Sequence, residues 1–197
     1  MEYKQEFLVG SDLKSELQKI LATKVVLRSV CPPSAQTTSV AELYRQYSDK
    51  LENRIVNDPR GAEIHFYAEN FPYLIKLEYY NRKIGAWKAA FASAAIEQLK
   101  SETFDEATYR IGDESRARTL FWIPEIISDP DSIHENGHPR VTGTELYVKR
   151  YKRSDAQIKV ISVGTRSSGE RIVVSSFWSN EGWVARYAKM PARYERK

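Results

Sequence analysis

The side chains best suited to proton or phosphoryl chemistry gather in the last third of the chain. His134-Glu135-Asn136-Gly137-His138 satisfies the H-E-x-x-H spacing. In zinc peptidases that spacing works on a helix, where one turn puts both imidazoles on one face and the glutamate activates a metal-bound water. Here Asn136-Gly137 is a turn signal and Pro139 follows at once, so the segment reads as a turn that spells the motif, and no metal is expected on it. His134 and His138 remain candidates for moving protons, because imidazole titrates near neutrality. The alternative is a pair of exposed or hydrogen-bonded loop histidines. His65 lies in a strand-like run and reads as structural.

Lys149, Lys159 and Arg171 are interleaved with Tyr147, Tyr151, Phe177 and Trp178, with Arg150 and Arg166 close by. Cations that hold phosphates beside aromatics that stack on bases are the usual means of gripping single-stranded RNA. A solvated sheet face would give the same composition. Arg116 and Arg118 read as salt-bridge partners of Asp113 or Glu114, with phosphate contact as the alternative.

These residues need strands to position them. TELYVKRY (144–151), QIKVISV (157–163) and RIVVSSFW (171–178) alternate in character, and the connectors at 152–155 and 165–169 are turn-like, so an antiparallel meander is expected. A period of two puts Lys149, Lys159, Arg171 and Ser175 on faces that coincide, provided that no register slip intervenes. Upstream, 11–22 and about 40–56 (capped by Ser39) have helical spacing, 31–39 is loop-like, and 57–61 is a strong stop. Residues 62–68 and 73–80 read as strands, with a turn over 81–85. Residues 87–101 and 115–123 read as helices, the first with the alternative that its opening residues finish a hairpin and the second kinked or ended by Pro124. A turn follows at 129–132.

The bulk numbers fit one soluble globular domain with an extension: 197 residues, 42% hydrophobic and 28% charged. The net charge of +4 is uneven, since residues 141–197 carry 12 Lys/Arg against 5 Asp/Glu while 111–140 carry 3 against 6. That asymmetry points to a polyanionic partner. The start of the chain does not read as a secretory signal, and no apolar run reaches the ~18 residues of a membrane span. Cys31 is the only cysteine, which excludes an internal disulfide framework and a Cys-rich zinc site. The expected compartment is reducing and cytoplasmic, with no membrane partner.

The run SRARTLFWIPEIISDPDSIH (115–134), followed by ELYVKRY (145–151), IKVISV and RIVVSSF, resembles the phage-associated branch of the barnase–EndoU–colicin–RelE-like nuclease superfamily. FPYLIKLEYYNRK (71–83) is also similar to the upstream part of such proteins. The resemblance implies an α+β fold, with N-terminal helices packed on a twisted antiparallel β-meander, residues 1–60 as a helical extension and 61–197 as the nuclease domain. It also implies toxin-like, metal-independent endoribonuclease activity that needs no cofactor. By the same resemblance the strand cation falls on Lys149 or Arg150, the mid-sheet cation on Lys159, and the last-strand hydroxyl on Ser175 or Ser176.

The reaction expected is attack of a ribose 2′-OH on the adjacent phosphorus, giving a cyclic phosphate. His134 or His138 would serve as base or acid, Lys149, Lys159 and Arg171 would stabilise the phosphorane, and Ser175 would donate a hydrogen bond. Arg150, Tyr147, Tyr151 and Arg166 would bind the RNA. Residues 1–60 could meet a protein partner or inhibitor. The alternatives are a non-catalytic RNA- or protein-binding module of the same fold, or a zinc peptidase through His134 and His138.

Overall fold

The computed structural model describes residues 39–151 and 157–196. The helix expected at 11–22, the loop over 31–38, Cys31 and the connector at 152–155 lie outside the described residues. Helix α1 (Val40–Lys50) is capped by Ser39, whose Oγ accepts from the Glu42 N–H at 3.1 Å. Val40, Leu43, Tyr44 and Tyr47 form its buried stripe. The helical period persists to Ile55 in the sequence, but the helix stops at Lys50. Asn53 takes a left-handed φ of 63°, a conformation that asparagine tolerates, and the β-branched pair Ile55-Val56 then enters strand β1 (Ile55–Asn57).

Strand β1 pairs antiparallel with β2 (Glu63–His65). A 3₁₀ turn (Ala68–Asn70) and helix α2 (Phe71–Leu74) follow, with Pro72 in the first turn of that helix where its missing N–H costs nothing. The strand expected from 73 therefore begins later, as β3 (Leu77–Asn81). It forms a small sheet with β4 (Ala86–Ala89) and β5 (Tyr109–Ile111), so the segment expected to be helical from 87 first completes a hairpin. Helix α3 (Ala92–Leu99) comes next. Residues 114–128 form helix α4 (Glu114–Arg118), a 3₁₀ turn (Leu120–Trp122) and helix α5 (Ile123–Ser128). Pro124 sits in the first turn of α5 and opens it instead of ending the segment.

The last third supplies β6 (Ser132–Glu135), β7 (Thr144–Arg150), β8 (Ile158–Thr165), β9 (Arg171–Ser179), helix α6 (Glu181–Tyr187) and β10 (Tyr194–Glu195). The main sheet has the order β1-β2-β9-β8-β7-β6-β10, antiparallel except for β2 against β9. The fold is α+β, as expected. The three expected C-terminal strands are present and are consecutive antiparallel neighbours.

Both faces of this sheet are covered. On one, Tyr147, Tyr151, Ile161, Val163 and Val173 share a core with α1, α2, Trp122 and the isoleucines of α5. On the other, Leu146, Val148, Ile158 and Val160 pack against Val184 and Ala188. The first six residues of β7 and the first seven of β8 are buried. The face that carries Lys149 and Lys159 is therefore covered by helices.

Candidate functional site

The register of β7, β8 and β9 fixes where each expected site residue lies. Lys149 opposes Lys159, which opposes Trp178. The two lysines thus share a face, as alternation required, but they are 1% and 0% exposed. Lys149 lies beneath the end of α5, where its Nζ donates to the Asp129 backbone carbonyl and, at 2.8 Å, to the Asp129 carboxylate. Lys159 Nζ donates to Thr119 Oγ1 at 2.7 Å and lies 5.1 Å from the centre of the Trp178 ring.

Arg171 lies on the same face at the far end of the sheet. It opposes Thr165, six residues along β8 from Lys159, which is roughly 20 Å at ~3.3 Å per residue. One phosphate cannot meet both. Arg171 instead donates to Glu145 and, at 3.1 Å, to Tyr147 Oη. Arg60 donates to the same carboxylate and hydroxyl, and Arg193 to Glu145. Tyr147 in turn donates to the fully buried Asp58 carboxylate at 2.8 Å. Burial raises the Asp58 pKa, but hydrogen bonds from Arg60, Tyr147 and two backbone N–H groups outweigh that and hold it below its usual value.

Ser175 is on the opposite face. A bulge between Ser162 and Val163 shifts the pairing, so that Val163 opposes Val173 but Ser162 opposes Ser175. Parity reverses there. Ser176, not Ser175, shares the lysines' face, fully buried and with no hydrogen-bond partner for its Oγ among the described residues.

The imidazoles are also displaced from the lysines. His134 belongs to β6 and opposes Leu146, on the face away from Lys149 and Lys159. The expected turn begins only after Glu135. His138 follows on the connection to β7, with its ring against Tyr187 at 4.8 Å. A zinc peptidase is corrected by the same geometry: the H-E-x-x-H segment is strand and loop, not helix, and Glu135 is engaged by Lys189 and Arg193.

Of the expected RNA-binding residues, Tyr147 and Tyr151 are fully buried. Arg150 faces the His134 side and pairs with Glu181 at 2.7 Å. Arg166 stacks over Tyr67 at 4.3 Å, beyond the end of β8. The six expected catalytic residues do not form one centre.

A different arrangement surrounds Lys159. A cleft of about 520 Å³ is lined by Glu114, Ser115, Arg118, Thr119, Trp122 and Trp178, among others. Thr119, itself buried, is among the lining residues, and its hydroxyl is the group that meets the Lys159 amine. The Lys159 pKa is lowered from 10.5 to about 7, chiefly by burial, with the nearby Arg116 charge adding to the drop and Asp113 opposing it. Arg116 pairs with Asp113 at 3.1 Å, the partner expected from sequence, and its Nη1 approaches Ser175 Oγ at 3.4 Å across the edge of β9. A near-neutral amine behind an aromatic-walled cleft can exchange a proton at physiological pH, as few buried groups can.

Sequence reasoning missed Thr119 and Trp122. Their signal was the T-L-F-W run directly after the Arg116–Arg118 helix, read only as helix continuation. Compared with known proteins, the chain matches no family model, no curated protein and no solved structure. Among the described residues no helix is long and apolar enough to cross a membrane.

Proposed function

We propose that the protein binds single-stranded RNA in the Trp122–Trp178 cleft and cleaves it there without a metal, with Lys159 as the acid–base group and helices packed on a barnase/RelE-like meander as its frame. The observation that carries this reading is a fully buried amine hydrogen-bonded to the Thr119 hydroxyl that lines the cleft, where burial lowers the Lys159 pKa. The partly exposed Trp178 ring, backed by buried Trp122, supplies a stacking surface, and Arg118 on the rim, with Arg116 beside it, supplies charge for a phosphate. Thr119 Oγ1, turned from the Ser115 carbonyl to which it donates, relays the 2′-OH proton to uncharged Lys159, the 2′ oxygen attacks phosphorus, and water protonates the departing 5′ oxygen. The products are a cyclic phosphate and a 5′-OH end.

A second reading is favoured by the cover over Lys159: the cleft binds RNA through Trp178 and Arg118 without turnover. Total RNA incubated with the protein in excess chelator separates the two. Cyclic-phosphate ends that disappear with Lys159→Met support cleavage. RNA that stays intact but binds, with a salt slope reduced by about one in Arg118→Ala, supports the binding module. Intact RNA and no binding overturn both.

A further inference from the structure

Ser132 and His134 lie two residues apart on β6, so their side chains emerge on one face, opposite Val148 and Leu146 and away from the Lys159 cleft. Ser132 Oγ and His134 Nε2 are 2.9 Å apart. His134 Nδ1 is 3.2 Å from the Lys189 backbone carbonyl. A carbonyl can only accept, so Nδ1 carries the ring proton and Nε2 of the neutral ring accepts from the Ser132 hydroxyl. The orienting carbonyl is itself anchored, because the Lys189 N–H donates to Glu135 O at 3.0 Å. These are the relations of a serine nucleophile, its base and the group that orients the base.

The pair borders a cavity of about 630 Å³ between β6 and α6. Val184, Ala185, Ala188 and Met190 give it an apolar wall. Arg150 lines it too, and its pair with Glu181 uses Nε and Nη2, leaving Nη1 outside that pair. The charged groups around the imidazole are Asp131, Glu181 and Glu195 against Arg150 and Arg196. Burial lowers the His134 pKa, which keeps the ring neutral and able to accept a proton at pH 7.

We infer that Ser132 and His134 form a second, hydrolytic site, independent of the RNA reading, for small uncharged carboxylic esters with an apolar acyl group. Three carboxylates against two guanidiniums disfavour an anionic acyl chain, and the α6 wall accepts an aliphatic one. Ser132 Oγ attacks the ester carbonyl carbon and its proton passes to His134 Nε2. Arg150, the guanidinium on the same cavity wall, is assigned to the developing oxyanion. The bond to the leaving alcohol then breaks as Nε2–H protonates that oxygen. Water attacks the acyl-serine and gives a proton to Nε2, which passes it to Ser132 Oγ as the acyl–oxygen bond breaks, releasing the carboxylic acid and restoring Ser132 and the neutral imidazole.

The test treats the full-length protein with an alkyl fluorophosphonate, maps the adduct by tandem mass spectrometry, and follows p-nitrophenyl butyrate hydrolysis. Expected is a single adduct on Ser132, with labelling and ester turnover falling at least about 100-fold in Ser132→Ala and His134→Gln. No adduct, an adduct on another residue, or His134→Gln labelled at the wild-type rate overturns the inference. The adduct position in the wild-type protein decides the matter even if a variant fails to fold. RNA cleavage unchanged in Ser132→Ala is expected, and its loss there would contradict the independence of the two sites.

Discussion

Replacing Lys159 by methionine removes a buried amine while keeping much of its stem volume, so it isolates the cost of placing that amine behind Thr119. The pKa falls from 10.5 in the open chain to about 7 in the folded protein. A base whose folded pKa is depressed leaves the unfolded chain holding more protons between those two values, so stability rises with pH across that window. The whole drop corresponds to on the order of 5 kcal/mol against folding below pH 7. At pH 7 about 4 kcal/mol of this remains, and at pH 9 about 2. Methionine gives up the hydrogen bond to Thr119, a loss of about 1 kcal/mol that does not depend on pH. Urea unfolding of both proteins at pH 7 and pH 9 measures the difference directly. The advantage of Lys159→Met should shrink by about 2 kcal/mol between the two pH values. A difference that stays constant would refute the reasoning, since it would mean that Lys159 keeps its proton throughout.

Two further outcomes follow from the same packing. The carboxylate of Asp58 is held below its ordinary pKa, so it stabilises the fold above the unfolded value near 3.8 and that contribution is lost as pH falls through the folded value. Asp58→Asn should therefore lower the melting temperature at pH 6 and flatten its decline at lower pH, as read by calorimetry. Trp122, packed against Tyr151 and Trp178 at ring distances of 5.4 and 5.9 Å, should cost about 3 to 5 kcal/mol on replacement by alanine, as read by denaturant unfolding.

The three C-terminal strands were legible because their residues alternate and their connectors are turn-like. Burial on both faces was not. A lysine at every second strand position looks the same whether water or a helix lies above it. Lys149 and Lys159 stay under the helices because Asp129 and Thr119 meet their ammonium groups, and those partners come from a segment some 20 to 40 residues away. The misplacement of Ser175 has a local cause, since the bulge at Ser162/Val163 reverses alternation in a run that reads as unbroken strand. Reading 129–132 as a turn hid Ser132, whose spacing of two from His134 would have placed both on one face of a strand. The helix at the start of the described chain ran too far in the sequence reading because Ile55 continues its period, while Asn53 ends it through backbone conformation.

Cleavage in the Trp122–Trp178 cleft depends most heavily on the charge state of one amine. Heteronuclear NMR of protein carrying ¹³C-labelled lysine, with the Lys159 Cε resonance assigned by its absence in Lys159→Met, follows that state through a pH titration. An inflection near pH 7 is expected. A resonance that stays in its protonated position until about pH 10, like an ordinary lysine, would contradict it.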